Sequence, residues 1–249
     1  DHHLGIFMQV CHAIDYAHHR GIVHRDIKPS NEMVGAFGEV QVLDWGLAAA
    51  LGDEHRGVMP LPSDIAVPEG TAAYMAPEMV RAEGGAIGVA TDVYLLGGLL
   101  HFLLTGAPPH AGCSLADRVA DPSQVVRVVA PRAPRELAAI CARALDPNPR
   151  ARYGSAAAMR EAVASYLEHR ASLELTVSAL SRVSALAELL ASPDPPPGEV
   201  NALSLEARFG FREALRIWPD NHRARAGLQR VLELACRYAI ERGDEEAGR

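Results

Sequence analysis

The polar segment HRDIKPSN, residues 24–31, carries side chains that could catalyse the transfer of a phosphoryl group. Such a transfer needs metal ions and a cation on the phosphates, and a carboxylate that orients the attacking hydroxyl. Asp26 can accept the hydroxyl proton, and Lys28 can reach the γ-phosphate. Asn31 and the later Asp44 offer one amide and one carboxylate oxygen, which Mg²⁺ accepts beside phosphate and water. These residues predict phosphoryl-transfer chemistry that depends on a divalent ion.

Three motifs follow one another in the order HRDIKPSN, DWG and GTAAYMAPE. Together they resemble the catalytic loop, residues 24–31, and the activation segment, residues 44–78, of a eukaryotic-type serine/threonine protein kinase of the bacterial Hanks type. One motif could be a chance match on a surface loop, whereas three in order are specific. The resemblance implies ATP, Mg²⁺ or Mn²⁺, and protein substrates with serine or threonine. The implied fold is the mainly α C-lobe, with a small β hairpin at the catalytic loop and a helical tail.

The resemblance also implies individual roles. Asp26 matches the catalytic base, Lys28 the lysine that contacts phosphate, and Asn31 and Asp44 the two metal ligands. Lys28 together with Thr71, which would hydrogen-bond the base and its lysine, favours serine and threonine over tyrosine as substrates. Seven further positions match structural or regulatory residues of the family, namely His24, Arg25, Trp45, Gly46, Asp92 and the ion pair Glu78–Arg152.

One serine suggests regulation by phosphorylation. Ser63 is the only hydroxyl side chain between Asp44 and Thr71, and Arg25 resembles the arginine that receives an activation-segment phosphate. We therefore hypothesise that phospho-Ser63 pairs with Arg25 and orders the segment. The alternatives are that an acid, for which the candidates are Asp53, Glu54 and Asp64, takes that role, or that none is needed.

Two departures from the family pattern carry expectations. Trp45 replaces the usual Phe, and Glu32 follows Asn31 where an apolar residue is common. A buried, unpaired Glu32 would cost a few kcal/mol, so we expect it to face solvent or a cation. The sequence also contains no glycine-rich phosphate loop and no strand lysine with a partner glutamate. We therefore expect a fragment whose N-lobe would precede Asp1, inactive alone and active in the full-length protein.

Hydrophobic periodicity and turn residues predict three regions. The C-lobe covers residues 1–171, a helix and proline-rich linker cover 172–199, and a helical hairpin covers 200–249. The hairpin carries part of a tetratricopeptide-repeat pattern, so a partial repeat that binds proteins and a plain hairpin are equally good interpretations. The predicted helices cover residues 4–20, 92–104 with Thr91 as cap, 134–145 and 155–169. The predicted strands cover residues 21–24, 33–34 and 40–43. The repeat pattern consists of Ala207, Phe211, Ala214 and Pro219.

Composition excludes several classes of partner. The 31 acidic residues outnumber the 24 basic ones and no basic block stands out, so nothing indicates nucleic acid. The longest apolar run, 93–104, is too short to span a membrane, and four scattered cysteines suit a reducing, cytoplasmic setting. A pseudokinase scaffold and a small-molecule phosphotransferase remain as alternatives, and zinc binding by the helix histidines is disfavoured because no ligand set is complete.

Overall fold

The structure, a computed structural model, describes residues 2–55, 57–122, 124, 126 and 133–242, without the side chains of Asp53 and Glu241. The chain divides into two compact units, residues 1–164 and 165–249. The last part of the predicted hairpin, residues 243–249, lies outside the described residues. The helices are α1 (His2–His19), α2 (Pro77–Val80), α3 (Val89–Thr105), α4 (Leu115–Ala120), α5 (Arg135–Ala144), α6 (Ala156–Leu190), α7 (Pro197–Ile217) and α8 (His222–Arg242). The strands are β1 (Ile22–Val23), β2 (Glu32–Val34), β3 (Val40–Val42) and β4 (Ala49–Ala50).

Helix α1 leads directly into the catalytic loop. Its apolar side chains recur at helical spacing and are buried, among them Phe7, Val10 and Ile14. The helix ends at His19, and the turn after it uses Gly21, whose φ of 71° lies in the left-handed region that glycine adopts without strain. The next residues form β1, which is antiparallel to β4 and pairs Ile22 with Ala50. The predicted strand is therefore present, although it is only two residues long.

A β hairpin separates the catalytic loop from Asp44, as the sequence predicts. Strands β2 and β3 are antiparallel, with Glu32 opposite Val42 and Val34 opposite Val40. The turn uses Gly38 at a φ of 84°, where a residue with a side chain would be strained. The hairpin therefore brings Glu32, which follows the catalytic loop, beside Val42, two residues before Asp44.

Helix α3 is the centre of the first unit. A Cβ on Gly97 would lie 2.9 Å from that of Ala144, so glycine permits the close approach of α3 and α5. One prediction here was wrong, since Thr91 is not the N-cap. The helix begins earlier, at Val89 after Gly88, and Thr91 lies in its first turn, where its hydroxyl accepts from the Gly88 amide.

Helix α6 is much longer than predicted. The sequence suggested an end near His169, but the helix continues to Leu190. Residues 170–190 contain neither glycine nor proline, so nothing in the backbone stops the helix. The linker is correspondingly short, because Pro197 already occupies the first turn of α7, a position where its missing N–H is not needed.

The second unit is built around a small apolar core. Helices α7 and α8 flank a break at Pro219, as predicted, and Asn221 caps α8 by accepting from the Ala224 amide at 3.0 Å. No helix of the described residues is both long and apolar enough to cross a membrane. The core of the second unit comprises Ala179, Val183, Leu186, Val200, Ala207, Phe211, Ala214, Ala224, Val231 and Leu234.

Candidate active site

A buried carboxylate on α3 fixes the backbone of the catalytic loop. Asp92, fully buried, accepts from the amide of His24 at 2.8 Å and from that of Arg25 at 2.9 Å. Arg25 has a φ of 72°, a left-handed conformation that costs a residue with a side chain about 1–2 kcal/mol. The two hydrogen bonds offset that strain and set the direction in which the next residue, Asp26, leaves the loop. His18 of α1 also contacts Asp92, at 2.9 Å, a partner that the sequence did not reveal.

Asp26, Lys28 and Thr71 form a closed triangle of hydrogen bonds. Lys28 Nζ lies 2.6 Å from Asp26 Oδ2 and 2.7 Å from Thr71 Oγ1. The Thr71 hydroxyl donates to Asp26 Oδ1 at 2.9 Å, and its amide donates to the same oxygen at 3.2 Å. Both carboxylate oxygens are therefore held, although Thr71 lies 45 residues from Asp26 in the sequence. This is the arrangement that a base and a phosphate-binding lysine would require.

The hairpin brings Asn31 and Asp44 to neighbouring positions. The Asn31 carbonyl accepts from the Leu43 amide at 2.7 Å, and Asp44 follows immediately. The amide nitrogen of Asn31 donates to the Asp26 carbonyl at 2.8 Å and to its carboxylate at 3.2 Å, so the amide oxygen is the atom left to meet a cation. Asp44 is exposed, and its backbone has the left-handed conformation, with a φ of 59°. Its side chain accepts a hydrogen bond from the Gly46 amide.

These donors fit a hard divalent ion. One amide oxygen and one carboxylate oxygen are what Mg²⁺ takes from a protein when phosphate and water complete its shell. Among the described residues, no three His, Cys, Asp or Glu side chains cluster as metal ligands would. A divalent ion beside Asn31 and Asp44 would accordingly depend on nucleotide phosphates for its remaining ligands.

Trp45 is accommodated without loss of the motif. Its ring lies 4.5 Å from that of His24, between centroids, and its indole N–H donates to the Val42 carbonyl at 3.0 Å. That bond is one that the more usual Phe could not make. His24 in turn contacts the Leu43 carbonyl at 3.0 Å and the Asp26 amide at 3.2 Å. A Cβ on Gly46 would lie 3.2 Å from Asp44 Oδ1, so glycine leaves the carboxylate room.

The ion pair expected between Glu78 and Arg152 is present and buried. The guanidinium donates to both carboxylate oxygens, at 2.7 and 2.9 Å, and to the Ala90 carbonyl at 2.8 Å. The Thr91 hydroxyl donates to Glu78 at 3.0 Å. The pair therefore ties the end of the activation segment to α3, in addition to any stability that it contributes.

Arg25 has a partner that the sequence did not identify. Its side chain donates to the Leu47 carbonyl at 2.9 Å and to Glu69 Oε2 at 3.2 Å. Ser63 is exposed and its hydroxyl lies 3.5 Å from Asp64 Oδ1, whereas within the described part of the chain Arg25 hydrogen-bonds to Leu47 and Glu69. Asp64 accepts from the Leu61 amide instead. Glu54 makes no such contact with Arg25, and the side chain of Asp53 lies outside the described residues.

The expectation for Glu32 holds only in part. The side chain is partly exposed, but one of its carboxylate oxygens, Oε1, is buried without a hydrogen-bond partner. Burial raises the pKa of the Glu32 carboxyl to about 8. Burial, and after it the charge of Glu32, also raises the pKa of the Cys11 thiol, which places Glu32 near α1.

Residues 2–164 match the family described as the protein kinase domain. The chain is similar to the serine/threonine-protein kinase PknD of Chlamydia abortus, with 36% identity over 182 residues that cover 66% of this chain and 19% of that protein. It is also similar to PknB of Mycobacterium tuberculosis, with 38% identity over 162 residues that cover 62% of this chain and 24% of that protein. A probable PknB of Bifidobacterium longum is 33% identical over 166 residues, which cover 65% of this chain and 23% of that protein.

The chain therefore spans about a fifth to a quarter of the length of these relatives. All residues of the candidate site, from His24 to Arg152, lie within the matched range 2–164. The chain belongs to the protein kinase domain family.

Proposed function

We propose that the chain is the catalytic C-lobe of a serine/threonine protein kinase, which transfers the γ-phosphoryl group of ATP to a hydroxyl of a protein substrate. The triangle of Asp26, Lys28 and Thr71 beside Asn31 and Asp44 is the observation that carries this proposal. The names of the relatives, which are serine/threonine-protein kinases, support the same activity.

Each side chain of the triangle has a role in the transfer. Asp26 orients the substrate hydroxyl and takes its proton as the oxygen attacks phosphorus and the bond to the ADP oxygen breaks. Lys28 Nζ, held by Asp26 and Thr71, places a positive charge beside the transferring group. Asn31 and Asp44 would hold Mg²⁺, which when bound neutralises phosphate charge. The protein thus contributes position and charge more than covalent chemistry.

The substrates and setting follow from the same residues. Lys28 and Thr71 favour serine and threonine hydroxyls. All four cysteines are free thiols, which suits a reducing cytoplasm where Mg-ATP is available. The α7–α8 hairpin buries Ala207, Phe211 and Ala214 of the repeat pattern, and we propose that it contacts protein partners. Titration of the chain with candidate partner proteins, against a Phe209→Ala variant at an exposed position of α7, tests that role.

A phosphotransfer assay with Mg-ATP and a generic protein substrate tests the activity. In the full-length gene product we expect Asp26→Asn to lower kcat by about a thousandfold or more, since the base contributes about 10²–10⁴. Asp220→Asn, an exposed carboxylate in the second unit, is the matched control. Unchanged activity in Asp26→Asn would refute the function, and an inactive full-length product would favour the pseudokinase alternative.

We further propose that residues 1–249 alone do not transfer phosphate. The sequence carries the catalytic loop and Asp44 but neither a glycine-rich phosphate loop nor a strand lysine paired with glutamate. ATP would lack the cover and the ion pair that position its phosphates in this family. The same assay on the isolated chain decides the point, and turnover that disappears in its Asp26→Asn variant would contradict the proposal.

A further inference from the structure

A buried cation lies next to the proposed base. The side chain of Arg25 is only 1% exposed, and its Nε is buried without a hydrogen-bond partner. A buried charge without a counter-charge is costly, by several kcal/mol for an unpaired ion. Within the part of the chain that the structure describes, the carboxylate that meets Arg25 is Glu69, whose side chain is 43% exposed. The charge of Arg25 is therefore balanced by a residue at the surface of the activation segment.

Residues 69–71 lie against residues 25 and 26 as a matched set. Glu69 pairs with the Arg25 side chain, and a Cβ on Gly70 would lie 3.6 Å from the Arg25 carbonyl. Gly70 has a φ of 128°, a conformation that residues with side chains rarely adopt. Thr71 then donates twice to Asp26. Glu69 and Gly70 thus lie against Arg25, and Thr71 lies against Asp26.

Arg25 also reaches the segment that follows the proposed metal ligand. Its Nη1 donates to the Leu47 carbonyl at 2.9 Å, three residues after Asp44, while its Nη2 donates to Glu69. One guanidinium therefore joins the loop of the base, the turn that follows the proposed metal ligand and the residues before Thr71. Removing the Glu69 charge would leave this junction without its anion.

We propose that Glu69 is a positioning residue that supplies permanently the negative charge that Arg25 needs, so that the activation segment is held in place without a phosphate on Ser63. The inference rests on the proposed function, because it concerns the same base and threonine. Ser63 is exposed and lies beside Asp64, so the structure gives it no part in this junction.

Hydrogen exchange on residues 1–249 tests the link without any catalysis. In Glu69→Gln we expect the Thr71 amide, which donates to Asp26, to exchange about fivefold faster, the upper end for an ion pair with one partner in water. Glu83→Gln is the matched control, because its side chain is 52% exposed and its Oε2 lies 3.8 Å from Arg81 Nη1, which is a loose ion pair. Equal Thr71 exchange in both variants would overturn the proposal.

Kinetics of the full-length gene product provide the second test. We expect Glu69→Gln to lower kcat about tenfold with little change in KM for ATP, since it acts through Arg25 on the base rather than on the nucleotide. Glu69→Asp should recover part of the loss, and both Ser63→Ala and phosphatase treatment should leave kcat unchanged. Loss of kcat in Ser63→Ala with none in Glu69→Gln would overturn the proposal. If only Asp26→Asn loses activity, the proposed function stands and the positioning role of Glu69 is rejected. If the wild type has no activity, the proposed function is rejected, and the hydrogen-exchange test still decides on the role of Glu69.

Discussion

The buried carboxyl of Glu32 should make the first unit less stable as the pH rises. Replacing it with Met keeps the length of the side chain and removes the charge. In the folded chain burial raises the pKa of Glu32 from 4.5 to about 8, whereas in the unfolded chain the carboxyl is in water. Between these two values the folded state holds a proton that the unfolded state has lost. The free energy of unfolding therefore falls as the pH rises through this window, and Glu32→Met should abolish that part of the fall.

The size of the effect follows from the shift. Each unit of pKa corresponds to about 1.4 kcal/mol, so the full difference would be about 5 kcal/mol. Glu32 is only partly buried overall, and its second oxygen is not among the buried atoms without partners. Water near that oxygen reduces the penalty, and we expect about 2–3 kcal/mol. Glu32→Met should gain that amount relative to wild type between about pH 5 and about pH 9.

Urea unfolding followed by tryptophan fluorescence measures this difference. The sequence has two tryptophans, Trp45 in the first unit and Trp218 in the second, so a Trp218→Phe background reports on the first unit. Glu161→Met, an exposed position on α6 in the same unit, is the control and should show no such pH dependence. A stability difference between Glu32→Met and wild type that stays constant over the pH range would refute the reasoning.

Two further substitutions test buried polar contacts. Arg152→Met leaves Glu78 buried and unpaired, and it should lower the free energy of unfolding in urea by about 3–5 kcal/mol. The double variant with Glu78→Gln should lose clearly less stability. Equal losses in the two variants would show that the unpaired charge is not the cause. Asn221→Ala removes the cap of α8 and the donor to the Ser172 and Thr176 hydroxyls and should cost about 2–3 kcal/mol, read from Trp218 in a Trp45→Phe background, while the exposed control Gln229→Ala should cost little.

The motifs predicted the parts of the site that short segments carry. Asp26, Lys28 and Asn31 lie in one loop, and the glycine-bounded hairpin after it predicted that Asp44 would return to Asn31. Thr71 meets Asp26 across a long loop, and only the resemblance to a family predicted that contact. Spacing alone gives no register between segments so far apart, which is why the resemblance was needed.

Glu69 and Glu32 show where sequence reasoning stopped. Glu69 carries no motif, and its contact depends on the left-handed backbone of Gly70, which no pattern of residue types reveals. For Glu32, the general cost of burying a carboxylate predicted solvent or a cation, and no pattern of residue types predicted that one of its oxygens would be buried. The length of α6, in contrast, was readable from the missing glycine and proline, whereas the break expected near His169 had no helix-stopping residue behind it.

The central claim is that Asn31 and Asp44 bind one divalent ion within reach of Asp26, and the position of such an ion on this chain tests it most directly. Mn²⁺ is paramagnetic and broadens the NMR signals of nearby amides. Isotope-labelled residues 1–249 would be titrated with Mn²⁺ and a non-hydrolysable ATP analogue, as wild type and as Asp44→Ala. We predict that the amides of Asn31 and of residues 44–46 broaden first in the wild type and stay sharp in the variant. Broadening that is confined to other parts of the chain, or that is the same in both proteins, would contradict the account.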